Sequence, residues 1–159
     1  MSDYTFQVLT RTHNQFGHSI TSNTNTEGLG GLRPGILVAL SGGSLGTACG
    51  ASTRPAGIAY GSRLGVYRPQ NQWYDLAEPF TVIMGRGLAL IGADLFTAGS
   101  LPSGINTKLY VGANGTWAES GTYPVGRFIR GETYPSGAGV GSDSTVALVE
   151  FNLAPYTNP

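Results

Sequence analysis

Charged side chains are scarce in this sequence, at 11% of 159 residues, whereas ordinary globular domains have about 25%. Nine basic and nine acidic residues balance to zero net charge, and Lys108 is the single lysine. Nucleic-acid binding depends on clustered cations that contact phosphates, and the chain has no such cluster. The composition therefore predicts no nucleic-acid partner. A sparsely charged, arginine-biased chain is instead typical of surfaces that other protein subunits cover.

Cysteines and long apolar runs are also few. Cys49 is the single cysteine, which excludes a disulfide within the chain. The longest apolar runs, residues 36–40 and 80–84, are far shorter than the roughly 20 residues of a membrane-spanning helix. The beginning of the sequence, MSDYTFQVL, lacks the basic and apolar regions of a signal peptide. We therefore expect no membrane partner and synthesis in a cytoplasm.

Helical periodicity is missing from every stretch of useful length. Short apolar segments instead alternate with turns rich in Gly and Pro, which is the pattern of an all-β sandwich or barrel. The fold class we predict is all-β, a compact β-barrel or sandwich with at most one short helix, at residues 93–98. Residues 41–52 are predicted as a loop. The predicted strands are 36–40, 56–60, 64–67, 80–84, 88–91, 107–111, 116–119, 125–130 and 145–153.

The clearest local prediction is a hairpin centred on Asn114-Gly115. This dipeptide readily supplies the two left-handed residues of a type I′ turn. In the preceding strand Leu109 and Val111 alternate with Lys108 and Tyr110, so the two apolar residues should face the core.

The N-terminal part differs in composition from the rest. Residues 12–31 are polar, rich in Gly, Asn and Thr, and without periodicity, so they cannot form a core of their own. We predict an extended binding arm over residues 1–32 and a single β-domain over residues 33–159; a strand at residues 4–11 and a frayed terminus are the alternatives. The apolar residues that would anchor the arm are Tyr4, Phe6, Val8, Phe16 and Ile20.

Motifs that resemble catalytic sites are incomplete. Ser44 lies in a G-x-S-x-G pattern, but the following TACGASTRPAG is no helix former and both histidines, His13 and His18, precede it. Those histidines lack companions at metal-ligand spacing. Asp75 and Glu78 are a carboxylate pair of a kind that arises by chance. The sequence predicts no catalytic residues, no metal site, no cofactor and no enzymatic activity.

Several segments follow one another in a recognisable order: PAGIAYG at 55–61, FTVIM at 80–84, KLYV at 108–111, NGT at 114–116 and VGRF at 125–128. This order resembles that of the capsid decoration, or cement, proteins of tailed bacteriophages. The resemblance implies a lambda-decoration-like domain called a β-tulip, usually a homotrimer on the capsid exterior, with the arm on the major capsid protein. It implies localisation in the virion after assembly in the host cytoplasm, and no catalytic residues.

An aromatic loop follows the third predicted strand. Trp73, Tyr74 and Arg68 in this loop are candidates for an oligomer or capsid interface, because aromatic and Arg side chains are enriched at interfaces. The same aromatics suit a carbohydrate-binding β-module, which stays an alternative function. Another virion component, such as a tail or head-completion protein, is a further alternative.

Overall fold

A computed structural model describes residues 6–12, 15–20, 32–41, 45–62, 79–134 and 144–153. The strands in these residues are β1 (Phe6–Thr12), β2 (Gln15–Ile20), β3 (Leu37–Ser41), β4 (Leu45–Ala48), β5 (Gly57–Ser62), β6 (Pro79–Ile83), β7 (Gly85–Gly92), β8 (Lys108–Val111), β9 (Trp117–Ala118), β10 (Pro124–Tyr134) and β11 (Ser144–Leu153). Helical structure in the same residues is limited to two 3₁₀ turns, Ala93–Leu95 and Ala113–Gly115. The predicted all-β class is confirmed, and the predicted short helical segment lies at the first of these turns.

The strands pair in two groups. The six-stranded sheet is antiparallel, in the order β1-β7-β11-β10-β8-β9. The five-stranded ring has the order β2-β4-β3-β5-β6, and its pairing closes on itself because β2 also pairs with β6. Among the strand pairs described only β2–β4 is parallel, and an isolated parallel bridge joins Phe96 to Trp117. One core cluster contains residues of both groups, including Val38 and Phe80 from the ring and Ile91 and Phe151 from the sheet.

The two groups are joined at the β8–β9 hairpin. Trp117 is fully buried, and its indole Nε1 donates a hydrogen bond to the Gly35 carbonyl at 3.0 Å. The amide of Gly115 donates to the Cys49 carbonyl at 2.6 Å. These two bonds hold the end of the sheet against the residues that flank β3 and β4.

The hairpin itself has the predicted turn. Asn114 and Gly115 both have positive φ, 53° and 73°, as a type I′ turn requires at its two central residues. The Thr116 amide closes the turn on the Ala113 carbonyl at 3.2 Å. Leu109 and Val111 are fully buried. The predicted alternation of β8 is therefore confirmed.

Among the boundaries that differ from the sequence analysis, two lie in Gly-containing segments that were predicted as connections. Residues 45–48, predicted as part of a loop, form β4, because LGTA pairs along β3 with Ala48 opposite Val38. Residues 85–87, predicted as a connection, begin β7, and only Gly85 has the positive φ (86°) of a turn residue. Backbone pairing to two neighbours overrides the weak strand propensity of Gly in both places.

The described N-terminal residues also differ from the sequence analysis, which predicted an extended arm and not paired strands of the domain. β1 pairs with β7, from Phe6 opposite Ile91 to Thr12 opposite Arg86, and β2 pairs with β6 and β4. Without β1, strand β7 would expose a long edge of unpaired backbone groups. The described residues of the predicted arm are therefore strands of the domain.

Candidate functional site

The two ends of the six-stranded sheet differ in length and protection. β9 ends the sheet with two residues, and its Trp117 carbonyl accepts a hydrogen bond from the Thr97 amide at 2.8 Å. β1 ends the other side with seven residues, FQVLTRT, and within the described residues it pairs with β7 alone. This segment contains no Pro or Lys, the residues that commonly protect sheet edges, and Arg11 is its one charged residue. Among the strands that the structure describes, β1 is therefore an edge at which another strand can pair.

The predicted arm anchors lie at defined register positions where they are described. Phe6 and Val8 lie opposite Ile91 and Ala89 in the sheet. In the ring, Phe16 lies opposite Val82 and Ile20 opposite Gly46. Their predicted contact with a capsid stays a prediction. Tyr4 lies outside the described residues, as do Arg68, Trp73 and Tyr74.

One face of the sheet carries a row of opposite charges. Glu150 on β11 lies between Arg86 on β7, at 3.7 Å, and Arg127 on β10, at 3.4 Å. Both arginines are about half exposed or more, and Glu150 is less so. Exposed pairs of this kind contribute little to stability, about 0–1 kcal/mol each. Their clearer effect is to reduce the net charge of this row to one positive charge.

A tight turn before β8 presents an apolar side chain to solvent. Ile105 is 75% exposed. The Thr107 amide and hydroxyl both donate to the Gly104 carbonyl, and Asn106 adopts the left-handed conformation with φ of 61°. Asn106 Oδ1 also accepts a hydrogen bond from Arg127 Nη1 at 3.3 Å. These bonds fix the turn that carries Ile105, so this apolar group needs little ordering before a contact.

A cleft of about 410 Å³ opens where the ring meets the sheet. Its described lining combines one guanidinium, one phenol, one amide and three apolar side chains. These are Arg54, Pro55, Tyr123, Pro124, Asn152 and Leu153. Arg54 and Asn152 are exposed, Tyr123 is partly buried, and Pro55 and Leu153 are buried. Polar groups thus lie at the rim of the cleft together with the exposed Pro124, and the buried Pro55 and Leu153 lie deeper.

Backbone hydrogen bonds fix each wall of this cleft. The wall at Arg54 is held on both sides, because the Thr53 carbonyl accepts the Cys49 thiol at 3.1 Å and the Ala56 amide donates to the Val38 carbonyl at 2.7 Å. The Tyr123 carbonyl accepts the Val111 amide at 3.0 Å. The third wall belongs to β11, where Asn152 lies opposite Arg86 of β7. The cleft is therefore formed before any ligand arrives.

Cys49 is fully buried beneath this region. Burial raises the pKa of its thiol to about 12. The thiolate is the reactive form of cysteine, so Cys49 is a structural donor to the Thr53 carbonyl at neutral pH.

In the described residues, the remaining sequence motifs for catalysis or metal binding do not form a catalytic arrangement. Ser44 lies outside them, and strand β4 follows it, whereas a nucleophile elbow is followed by a helix. His18 lies in β2 opposite Phe80, and His13, Asp75 and Glu78 lie outside. Within the residues the structure covers, no three His, Cys, Asp or Glu side chains form a group that could hold a metal ion. None of the helices described is long and apolar enough to cross a membrane.

No family model, curated protein or solved structure matches this chain.

Proposed function

We propose that this chain is a structural virion protein that binds the outside of a bacteriophage capsid and cements neighbouring major capsid protein subunits. The observation that carries the proposal is the seven-residue β1 edge, which pairs on one side only within the described residues. The second support is the order of segments in the sequence, which resembles that of capsid decoration proteins. The proposed role needs adhesion and no chemistry.

The proposed contact is the addition of a capsid strand to β1. In this mode backbone hydrogen bonds supply affinity, and alternate side chains supply specificity. An edge strand already held by β7 is ordered before binding, so the complex loses less conformational entropy than one formed by a free arm. This replaces the sequence-based idea of a loose arm that orders on the capsid.

Ile105 is a second proposed contact on the same protein. Its turn is fixed by hydrogen bonds, and its side chain is largely exposed. An apolar group on a rigid turn can fill a pocket at small entropic cost. If the protein is a homotrimer, as the resemblance implies, linked contacts would raise the overall affinity by about 10²–10⁴.

The test mixes the purified protein with empty capsids assembled from the major capsid protein of the virus to which the proposal assigns this chain. Gln7→Pro and Val8→Pro form an informative pair, because consecutive residues of a strand direct their amides to opposite edges. One proline removes a bond to β7 and lowers thermal stability. The other removes a donor from the open edge, keeps stability near that of the wild type, and should abolish co-sedimentation with capsids.

The controls are Gln7→Ser and Val8→Thr, which keep the backbone amides and should bind as the wild type does. Ile105→Ser should change the free energy of unfolding by no more than about 0.5 kcal/mol and weaken capsid binding. Full binding by the stable proline variant would contradict the β1 contact. Absence of the protein from the capsid exterior in an electron-microscopy map of the virion would contradict the function. Deletion of residues 1–31 is unsuitable, because it removes β2 from the ring.

A further inference from the structure

The cleft between the ring and the sheet has the composition of a ligand site. Its volume of about 410 Å³ falls within the range of small-molecule pockets, about 300–1,000 Å³. It combines apolar walls with a few polar groups that converge at the rim, as ligand pockets do. The described lining includes no residue of β1 or of the Ile105 turn, so we treat the cleft as a site separate from the proposed capsid contact.

Arg54 gives the cleft a positive charge that no described group of the protein pairs with. Within the described part of the chain Arg54 forms no ion pair or hydrogen bond, and the described lining contains no carboxylate. By contrast, Arg86, Arg127 and Arg130 each have a Glu partner. A guanidinium forks onto a carboxylate with two parallel hydrogen bonds. The group that Arg54 fits is therefore a ligand carboxylate.

The other lining groups favour a sugar ring next to that carboxylate. Tyr123 contributes an aromatic ring to the lining, against which an apolar C–H face of a sugar can pack, and Pro124 lies next to it in the chain. The Asn152 amide both donates and accepts, so it matches a hydroxyl group, which also does both. A phosphate site generally collects several backbone amides or cations, whereas the described lining here has one cation.

We propose that this cleft binds an acidic sugar residue, a hexuronate, with its carboxylate on Arg54, its ring on Tyr123 and a hydroxyl group on Asn152. Such residues occur in acidic polysaccharides, so the site would let a capsid-bound protein attach weakly to a glycan surface. The walls are held by backbone hydrogen bonds, which preorganises the site. A single residue in an open cleft should bind with a dissociation constant of roughly 1 mM.

The experiment is an amide chemical-shift titration of the full chain with three probes. Methyl β-glucuronide should bind and shift the amides of Arg54, Tyr123 and Asn152. Methyl β-glucoside, which lacks the carboxylate, should bind about tenfold more weakly or worse, because a charge-assisted hydrogen bond is lost. Acetate, which lacks the ring, should bind far more weakly than the glucuronide. Equal binding of acetate and glucuronide would overturn the sugar assignment, and so would the absence of binding by any probe.

Matched variants separate the site from general charge effects. Arg54→Gln should weaken glucuronide binding about tenfold or more and remove the preference over the glucoside. Arg130→Gln removes the same charge from the outer face of β10 and should leave binding unchanged. An equal loss in both variants would show a net-charge effect and overturn the proposal. Capsid co-sedimentation of Arg54→Gln should stay at the wild-type level. Different results would therefore contradict this inference and the proposed function.

Discussion

Trp117 Nε1 donates a hydrogen bond to the carbonyl oxygen of Gly35, which lies 82 positions earlier in the chain, at a distance of 3.0 Å. Both groups are buried. Gly35 immediately precedes the residues that lead into β3 of the ring, and Trp117 begins β9 of the sheet. The bond therefore joins the two strand groups through one side chain, and it satisfies an indole N–H that would otherwise be buried without a partner.

Substitution of Trp117 by Phe should destabilise the domain by about 1–3 kcal/mol, because the Gly35 carbonyl loses a buried donor. Trp117→Ala should cost more, about 3–5 kcal/mol, since it also creates a cavity in the core. Urea unfolding followed by circular dichroism measures both. A Phe variant as stable as the wild type would show that this hydrogen bond does not hold the two groups together.

A second prediction concerns two glycines that share a left-handed backbone and differ in their surroundings. At Gly115 an added Cβ would meet the Leu37 carbonyl oxygen at 2.5 Å and Ile36 Cγ2 at 2.6 Å, whereas at Gly99 nothing lies within 4 Å. Gly99→Ala should cost about 1–2 kcal/mol, the penalty of the left-handed conformation. Gly115→Ala should destabilise the domain by about 1–3 kcal/mol more than Gly99→Ala does, because the hairpin must move away from β3. Equal unfolding midpoints for the two variants would contradict this account of the junction.

The sequence predicted those features that depend on local chemistry. The Asn114-Gly115 turn and the alternation of Leu109 and Val111 follow from residue type and spacing, and both are confirmed. β4 was missed because its residues, LGTA, have little strand propensity of their own. It forms because β3 and β2 lie on either side of it.

The candidate sites were harder to predict from the sequence than these local features of the fold. The cleft brings together Arg54, Tyr123 and Asn152 from three separate segments, and no spacing rule links them. The N-terminal residues looked like an arm because their pairing partners, β6 and β7, are far away along the chain. The one available signal was the apolar and β-branched content of residues 6–12, which also permits a strand.

A third prediction concerns the ion pair between Arg33, which is buried, and Asp94, whose side chain is 48% exposed. The Arg33 side chain is 8% exposed, and its Nη2 lies 2.7 Å from Asp94 Oδ2. Asp94→Asn should cost about 1–3 kcal/mol, because a buried guanidinium loses its anionic partner. The control is Glu132→Gln, whose partner Arg130 is 64% exposed, and this change should stay within about 0.5 kcal/mol. Similar unfolding free energies for the two variants would show that burial of Arg33 adds nothing to the pair.

The last prediction follows from the raised pKa of Cys49, about 12 in the folded protein against 9.0 for an unperturbed thiol. Below pH 9 the thiol is protonated in both states, so its contribution to stability is fully present. Between about pH 9 and 12 the unfolded state loses this proton while the folded state keeps it. The free energy of unfolding should therefore fall as pH rises, by up to about 1.4 kcal/mol per pH unit from this group.

The measurement compares the wild type with Cys49→Ala by urea unfolding at several values between about pH 7 and 10.5. Every other ionisable group is common to both proteins, so the difference between the two curves isolates the thiol. Wild-type stability should decline more steeply than that of the variant above pH 9. Parallel curves would mean that the thiol ionises as easily in the folded state as in the unfolded one. Burial of Cys49 against the Thr53 carbonyl would then have no effect on its ionisation.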